Sequence, residues 1–285
     1  MEIIKGKTAG FCYGVKRAVD GAYETINNET NVYCLGELVH NGIVIKHLED
    51  QNVKIIDDIN LAEDNSSVII RAHGVTKDVY EIAKKKDLKI FDYSCPNVLR
   101  IHDIAYEYAN KGYYIFCVGS KDHPEIIGTL SYCGDHVSSI EDEEDITSAI
   151  EDFKKSGIKD LLIIVQTTFN HHSFDNICNI IKDNLKDINI VIKNTICNAT
   201  NMRQKETEKL SKEVEKMIII GGKKSSNTKK LYEIAKEVCD DTYLIEDASV
   251  LNIDDFKETN KLGIMAGAST PDESIEKVIS LLNNI

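Results

Sequence analysis

Strand-length apolar runs alternate with longer stretches of helical period along almost the whole chain. The runs fall at residues 2–5, 32–36, 68–70, 88–91, 113–119, 161–165, 190–193, 217–222 and 262–267. Alternation of this kind predicts α/β layers with mostly parallel sheets. Three of the runs (2–5, 88–91 and 190–193) lead within a few residues to Cys12, Cys95 and Cys197, and each cysteine opens a helix-like stretch. Two further runs follow in each section. The cysteines recur at intervals of 83 and 102 residues. A period of about ninety residues exceeds the 20–50 of solenoid repeats. It fits three copies of a small α/β domain, placed at 1–95, 96–193 and 194–285.

Bulk composition narrows the class. The chain has 285 residues, 42% hydrophobic and 28% charged, as in soluble globular proteins. Its formal net charge of −13 argues against general nucleic-acid binding, which needs a basic face. A local site for a small anion remains compatible with that charge, because helix N-termini hold phosphate groups. No apolar stretch reaches membrane-spanning length, and no signal-peptide core opens the sequence. A cytoplasmic setting is expected. There, the eight cysteines are thiols or metal ligands rather than disulfides.

Strand-to-helix junctions put their side chains at the carboxyl edge of a sheet, where open α/β folds bind ligands. A single cysteine at such a place is more often a buried thiol than a ligand. Three at equivalent junctions point to one soft metal centre, zinc, copper(I) or an iron–sulfur cluster. Three ligands are one short of a closed tetrahedral site, which is the mark of a catalytic centre. A 4Fe–4S cluster held this way would leave one iron open to substrate.

The other strand ends carry polar groups suited to a ligand. His40, His73 and His123 each follow an apolar run. Gln166-Thr167-Thr168, Ser225-Ser226-Asn227 and Ser269 do the same. Ser225-Ser226-Asn227 precedes a helical stretch, where small donors beside free N–H groups make either an N-cap or an anion site. Glu125 lies across Pro124 from His123 and is expected in a loop. In a closed pocket its carboxyl could stay protonated and act as an acid. Thr167 and Thr168 are strand-end threonines or a hydroxyl relay. His47 and His102 fall in helical stretches, His136 in a loop, and the His171-His172 pair is expected in solvent. Cys34, Cys117, Cys133, Cys178 and Cys239 are assigned to structure.

Read together, Gly10-Phe11-Cys12-x-Gly14-Val15, Val39-His40-Asn41, Ala72-His73-Gly74-Val75, Ser94-Cys95-Pro96, His123-Pro124-Glu125-x-x-Gly128-Thr129, Gln166-Thr167-Thr168, Thr195-Ile196-Cys197-x-Ala199-Thr200-x-x-Arg203-Gln204, Ser225-Ser226-Asn227 and Ala266-Gly267-Ala268-Ser269 resemble the 4-hydroxy-3-methylbut-2-enyl diphosphate reductase family. The motifs run in order from Ile4 to Pro271. The resemblance implies three pseudo-threefold-related α/β domains around a central iron–sulfur site. Cys12, Cys95 and Cys197 would hold one 4Fe–4S cluster per chain. His40, His73, His123, Thr168, Ser225, Ser226, Asn227 and Ser269 would bind the substrate, chiefly its diphosphate. Thr167 would meet the hydroxyl end, and Glu125 would deliver protons. Electrons would come from an external one-electron donor such as ferredoxin or flavodoxin. Neither nucleic acid nor membrane is expected as a partner. Two departures stand out: Asp122 where a glycine usually precedes the histidine, and Tyr93-Ser94 in place of Ala-Thr before the second cysteine. Some relatives carry an RNA-binding extension; none is expected after Ile285.

The implied activity is reductive dehydroxylation to isopentenyl and dimethylallyl diphosphate, the last step of methylerythritol phosphate isoprenoid biosynthesis. An open-site 4Fe–4S hydro-lyase acting on a small phosphorylated substrate would use the same ligands without net electron flow. A non-enzymatic iron–sulfur sensor would need neither the anion-binding set nor a proton donor.

Overall fold

The computed structural model describes Met1–Asn284. Its strands are β1 (Glu2–Lys5), β2 (Val32–Leu35), β3 (Lys54–Ile56), β4 (Ser67–Ile70), β5 (Lys89–Asp92), β6 (Tyr114–Val118), β7 (Val137–Ile140), β8 (Asp160–Val165), β9 (Asn189–Lys193), β10 (Lys216–Ile220), β11 (Thr242–Ile245) and β12 (Lys261–Ala266). Its helices are α1 (Tyr13–Asn28), α2 (Gly42–Asp50), α3 (Lys77–Lys85), α4 (Pro96–Asn110), α5 (Pro124–Leu130), α6 (Glu144–Ser156), α7 (His171–Asn184), α8 (Asn198–Ser211), α9 (Ser226–Lys236) and α10 (Asp272–Leu282).

The strands form three four-stranded sheets, ordered β3-β2-β4-β5, β7-β6-β8-β9 and β11-β10-β12-β1. Every pairing is parallel. The three orders are equivalent. The first strand of each segment lies inside, the second at one edge, the third beside the first, and the fourth at the far edge. In the last sheet that fourth place is filled by β1 from the N-terminus, which pairs with β12. Segments 1–95, 96–193 and 194–285 therefore each carry the strands of one sheet, β1 excepted.

The inner strands β2, β4 and β6 are buried along their whole length. A parallel sheet covered on both faces leaves no solvent side, so its inner strands read as unbroken apolar runs. The outer strands β3, β7 and β11 are short and partly exposed. They fall outside the predicted runs, whereas the equally exposed edge strands β1, β5 and β9 fall within them.

The chain divides into two compact units: Met1–Val19, Val39–Asp50 and Asn198–Ile285 form the first, and Asp20–Leu38 and Gln51–Cys197 the second. The first unit holds β11-β10-β12-β1. Alternate residues of its strands point to opposite faces: Ile218, Ile220, Leu262 and Ile264 meet Phe256, Ile275 and Val278 on one side, and Met217, Ile219 and Met265 meet Leu210 and Leu231 on the other. The second unit holds the other two sheets. Phe116, Phe153, Ile163 and Phe174 anchor one of its cores, and Leu35, Val68, Ile70 and Val75 another.

The unusual Tyr93 is seated within the second unit. Its ring lies over Gly21 of α1, where an added Cβ would come within 2.2 Å of the ring. Its hydroxyl shares a 2.8 Å hydrogen bond with the Thr25 hydroxyl. The helix thus leaves a hollow for the larger side chain, and the loop ahead of Cys95 is anchored. Among the described residues no helix is long and apolar enough to cross a membrane.

Candidate active site

Cys12, Cys95 and Cys197 each immediately precede the first residue of a helix, α1, α4 and α8 respectively. Each also follows the strand at the far edge of its sheet, β1, β5 or β9. Their backbone N–H groups share one pattern. Cys95 donates to Ala72 O at 2.9 Å, Cys197 to Thr167 O at 2.9 Å, and Cys12 to Ala268 O at 3.1 Å. Each acceptor lies two residues past the end of the neighbouring inner strand, β4, β8 or β12. Three copies of one local design therefore present three thiols, each at the positive end of a helix, where a thiolate is favoured.

Exposure separates these cysteines from the rest. Cys12, Cys95 and Cys197 are half-buried, whereas Cys34, Cys117, Cys133, Cys178 and Cys239 are buried. Burial pushes the Cys34 and Cys133 thiols up to about 12 and Cys178 to about 11, and drives Cys117 well above the usual range. Those four stay protonated and cannot serve as ligands without ionising in an apolar core. The half-buried three are the chemically available set. Two of them receive N–H donors at sulfur: Cys12 Sγ from Val15 N–H at 3.5 Å, and Cys197 Sγ from the Asn97 side-chain amide at 3.1 Å. Accessible thiols at helix N-termini, with N–H donors at the Cys12 and Cys197 sulfurs, are ligands of the type an iron–sulfur cluster takes.

In the second unit the predicted residues form a closed circuit of contacts. The His73 and His123 rings meet edge to face, with centroids 5.3 Å apart. His123 caps α5, its Nδ1 accepting from Glu125 N–H at 3.1 Å. That leaves Nε2 as the protonated nitrogen of the neutral ring, a donor. The Glu125 carboxyl accepts from Thr167 N–H at 2.6 Å and from the Thr167 hydroxyl at 2.7 Å. The Thr167 carbonyl accepts from Cys197 N–H, and Cys197 Sγ accepts from Asn97, two residues beyond Cys95. Cys95 closes the ring through Ala72, next to His73. Thr168 sits beside it, its hydroxyl accepting from Gln166 Nε2 at 3.0 Å.

Glu125 departs from its expected loop position. It is the second residue of α5 and only 2% exposed. Burial pushes its carboxyl up to about 7, and the two Thr167 hydrogen bonds only partly counter that. Proline at the first helical position permits the turn without losing a needed N–H. Behind it lies His102, 3% exposed and stacked on Tyr132 at 4.4 Å. Neither ring nitrogen of His102 has a hydrogen-bond partner among the described residues, and burial pulls its pKa down to about 4. This neutral ring packs against Gly74, next to His73, and Gly128, one helical turn after Glu125.

In the first unit the other predicted residues gather around two helix N-termini. Asn41 caps α2, its Oδ1 accepting from Ile43 and Val44 N–H. Ser225 caps α9, its Oγ accepting from Thr228 N–H at 3.3 Å. The two loops touch, since a Cβ on Gly222 would fall 2.6 Å from the His40 carbonyl oxygen. The Ser269 hydroxyl donates to that same oxygen at 3.2 Å. Ser226 is half-buried at the start of α9. Asn227 is 3% exposed, and neither its Nδ2 nor its Oδ1 has a partner among the described residues; Asn41 Nδ2 is in the same condition. Buried amides left unpaired cost free energy, and helix N-termini favour anions. Phosphate oxygens would accept from the Nδ2 groups of Asn41 and Asn227 and from the helix N–H groups.

Several contributors received no role from the sequence alone. Arg203 Nη2 donates to Gly10 O at 2.7 Å and fixes the loop before Cys12. Glu206 grips Lys7 N–H and Thr8 N–H at 2.8 Å each. Burial raises the Glu206 pKa, but the Thr8 hydroxyl together with these N–H donors outweighs it and holds the carboxyl below its usual value. Asp92 accepts from Ser94 N–H at 2.8 Å and from the Tyr80 hydroxyl at 2.7 Å, shaping the turn to Cys95. The Thr195 hydroxyl accepts from Val165 N–H at 2.9 Å and does the same ahead of Cys197.

A family model described as LytB protein matches residues 3–283. The chain is 41% identical over 292 residues to the 4-hydroxy-3-methylbut-2-enyl diphosphate reductase of Caldanaerobacter subterraneus subsp. tengcongensis, across all of this chain and 98% of that one. It is 39% identical over 286 residues to the protein of the same name from Clostridioides difficile, across the full length of both. A solved structure of (E)-4-hydroxy-3-methyl-but-2-enyl diphosphate reductase, described as the terminal enzyme of the non-mevalonate pathway, matches all of both chains at 39% identity and a TM-score of 0.72. The Plasmodium falciparum reductase structure matches 99% of this chain and 88% of that one, at 30% identity and a TM-score of 0.88.

Proposed function

The chain belongs to the LytB protein family, and from that we infer that it catalyses reductive dehydroxylation of (E)-4-hydroxy-3-methylbut-2-enyl diphosphate to isopentenyl and dimethylallyl diphosphate. This is the last step of methylerythritol phosphate isoprenoid biosynthesis. The observation that carries the reading is the circuit joining Cys95, His73, His123, Glu125, Thr167 and Cys197, with a carboxyl held near neutrality beside a cysteine-bearing loop.

One 4Fe–4S cluster per chain, held by Cys12, Cys95 and Cys197, is the cofactor this donor set supports. When bound, it supplies electrons one at a time and a Lewis-acidic iron without a protein ligand. The chain's own residues do the rest. Ser225, Ser226, Asn227, Ser269 and His40 take the diphosphate at the N-termini of α2 and α9. His73 and His123 add donors at strand ends, and His123 Nε2 carries the proton of its neutral ring. Binding energy from the diphosphate then positions the reacting end. Thr167 and Thr168 meet the hydroxyl end. Glu125 gives its proton to the leaving hydroxyl, directly or through the Thr167 hydroxyl, and water departs. A second proton, added at either end of the allylic system, accounts for two products. The electron source is an external one-electron donor such as ferredoxin or flavodoxin, and the setting is the cytoplasm.

Anaerobically prepared protein should convert the allylic alcohol diphosphate to both products only when a chemical reductant is present. Turnover without reductant would point to a hydro-lyase instead. Asn227→Ala should weaken binding of inorganic diphosphate about ten- to a hundredfold by calorimetry, the loss of one hydrogen bond to a charged group. Iron content should not change. Unaltered affinity would remove Asn227 from the diphosphate site.

A further inference from the structure

Asn97 is the second residue of α4 and exposed, a place where a solvated asparagine would pass without comment. Its side chain instead reaches the sulfur of Cys197, one hundred residues away, at 3.1 Å. The amide presents its N–H to this sulfur, and a thiolate that ligates a metal can only accept. The contact joins the loop of one cysteine to the sulfur of another. It is also adjustable by mutation, unlike the backbone donor that Cys12 receives from Val15.

We propose that Asn97 tunes the reduction potential of the iron–sulfur centre by donating a hydrogen bond to the Cys197 sulfur. The inference rests on the assignment of Cys197 as a cluster ligand. A hydrogen bond withdraws electron density from a ligating sulfur. The stabilisation is larger in the reduced state, which carries one more negative charge, so the donor raises the potential. The amide is neutral and cannot move a proton in the reaction. Its role is to position charge around the cofactor, and a change of potential is the readout that separates this from helix-end packing.

The test is a potentiometric titration of the anaerobic holoenzyme followed by electron paramagnetic resonance. It compares the parent protein with Asn97→Leu and Asn97→Gln. Leucine keeps the bulk and removes the donor, so the potential should fall at unchanged iron and sulfide content. Glutamine keeps a donor on a longer arm and should recover part of the shift. An unchanged potential in Asn97→Leu at equal cluster content overturns the proposal. Loss of the cluster from both variants also overturns it, because Asn97 would then hold the site's shape rather than tune it. A parent protein that binds no 4Fe–4S cluster brings down the ligand assignment and this inference together, and that failure is visible before any variant is made.

Discussion

Serine in place of Cys95 should leave the anaerobically purified protein with little of its iron and sulfide and with no measurable turnover. Cys12→Ser and Cys197→Ser should do the same. A serine oxygen is a poor substitute for thiolate at a soft metal centre, and with three anchors there is no spare. The three cysteines are the half-buried ones, each opening a helix and each pinned by its own N–H to a neighbouring strand end. Because those backbone bonds do not involve sulfur, each variant should fold and keep its far-ultraviolet circular dichroism. Cys178→Ala and Cys239→Ala make the contrast. Both residues are buried, and Cys178 is held as a thiol by burial. Their removal should trim stability and leave iron content untouched. Full iron in any of the three serine variants, or stoichiometric zinc without iron in the parent, would end the assignment.

The legible part of this fold was the part with a two-sided burial requirement. Strands such as β8 and β10 announce themselves because every position after the first is buried and apolar. The edge strands β3 and β7 do not. β7 reads Val-Ser-Ser-Ile and β3 has three residues, so neither forms a run long enough to separate from loop. The pairing of β1 with β12 is a contact across the length of the chain, and local pattern holds no trace of it. The cysteines and histidines were legible because their residue types are chemically marked and fall after strands. The contacts that aim them were not. Glu206 and Asp92 are common types outside the family motifs, and Arg203 and Thr195 stand within one, but only the folded chain shows which backbone groups each of them holds. His102 is the sharpest case. Its sequence context is an ordinary helical stretch, yet it lies between the turn after His73 and the helix of Glu125.

Glu125→Gln should lower turnover by roughly 10²–10⁴, the usual loss when a general acid is removed. Diphosphate affinity and iron content should hold. Glutamine fits the site with one reversal. Its Oε1 can accept from Thr167 N–H, and its amide can donate to the Thr167 hydroxyl, which now accepts. What it cannot do is release an acidic proton. The pH profile makes the assignment specific. A carboxyl raised from its usual 4.5 to about 7 is largely protonated below neutrality, so turnover that depends on it should fall as pH rises through about 7. The variant's residual rate should lack that limb. Stability should move with the same group. Between about pH 4.5 and pH 7 the folded chain keeps a proton that the unfolded chain has lost, so this contribution to stability is full below 4.5 and declines as pH rises through 7. Glutamine should flatten the decline. An exposed glutamate would show neither effect. Near-parental turnover at equal cluster content would move the acid's role away from Glu125, to the Thr167 hydroxyl, a histidine or the substrate diphosphate. Lost turnover with an unchanged pH limb would mean that Glu125 positions Thr167 and another group supplies the proton.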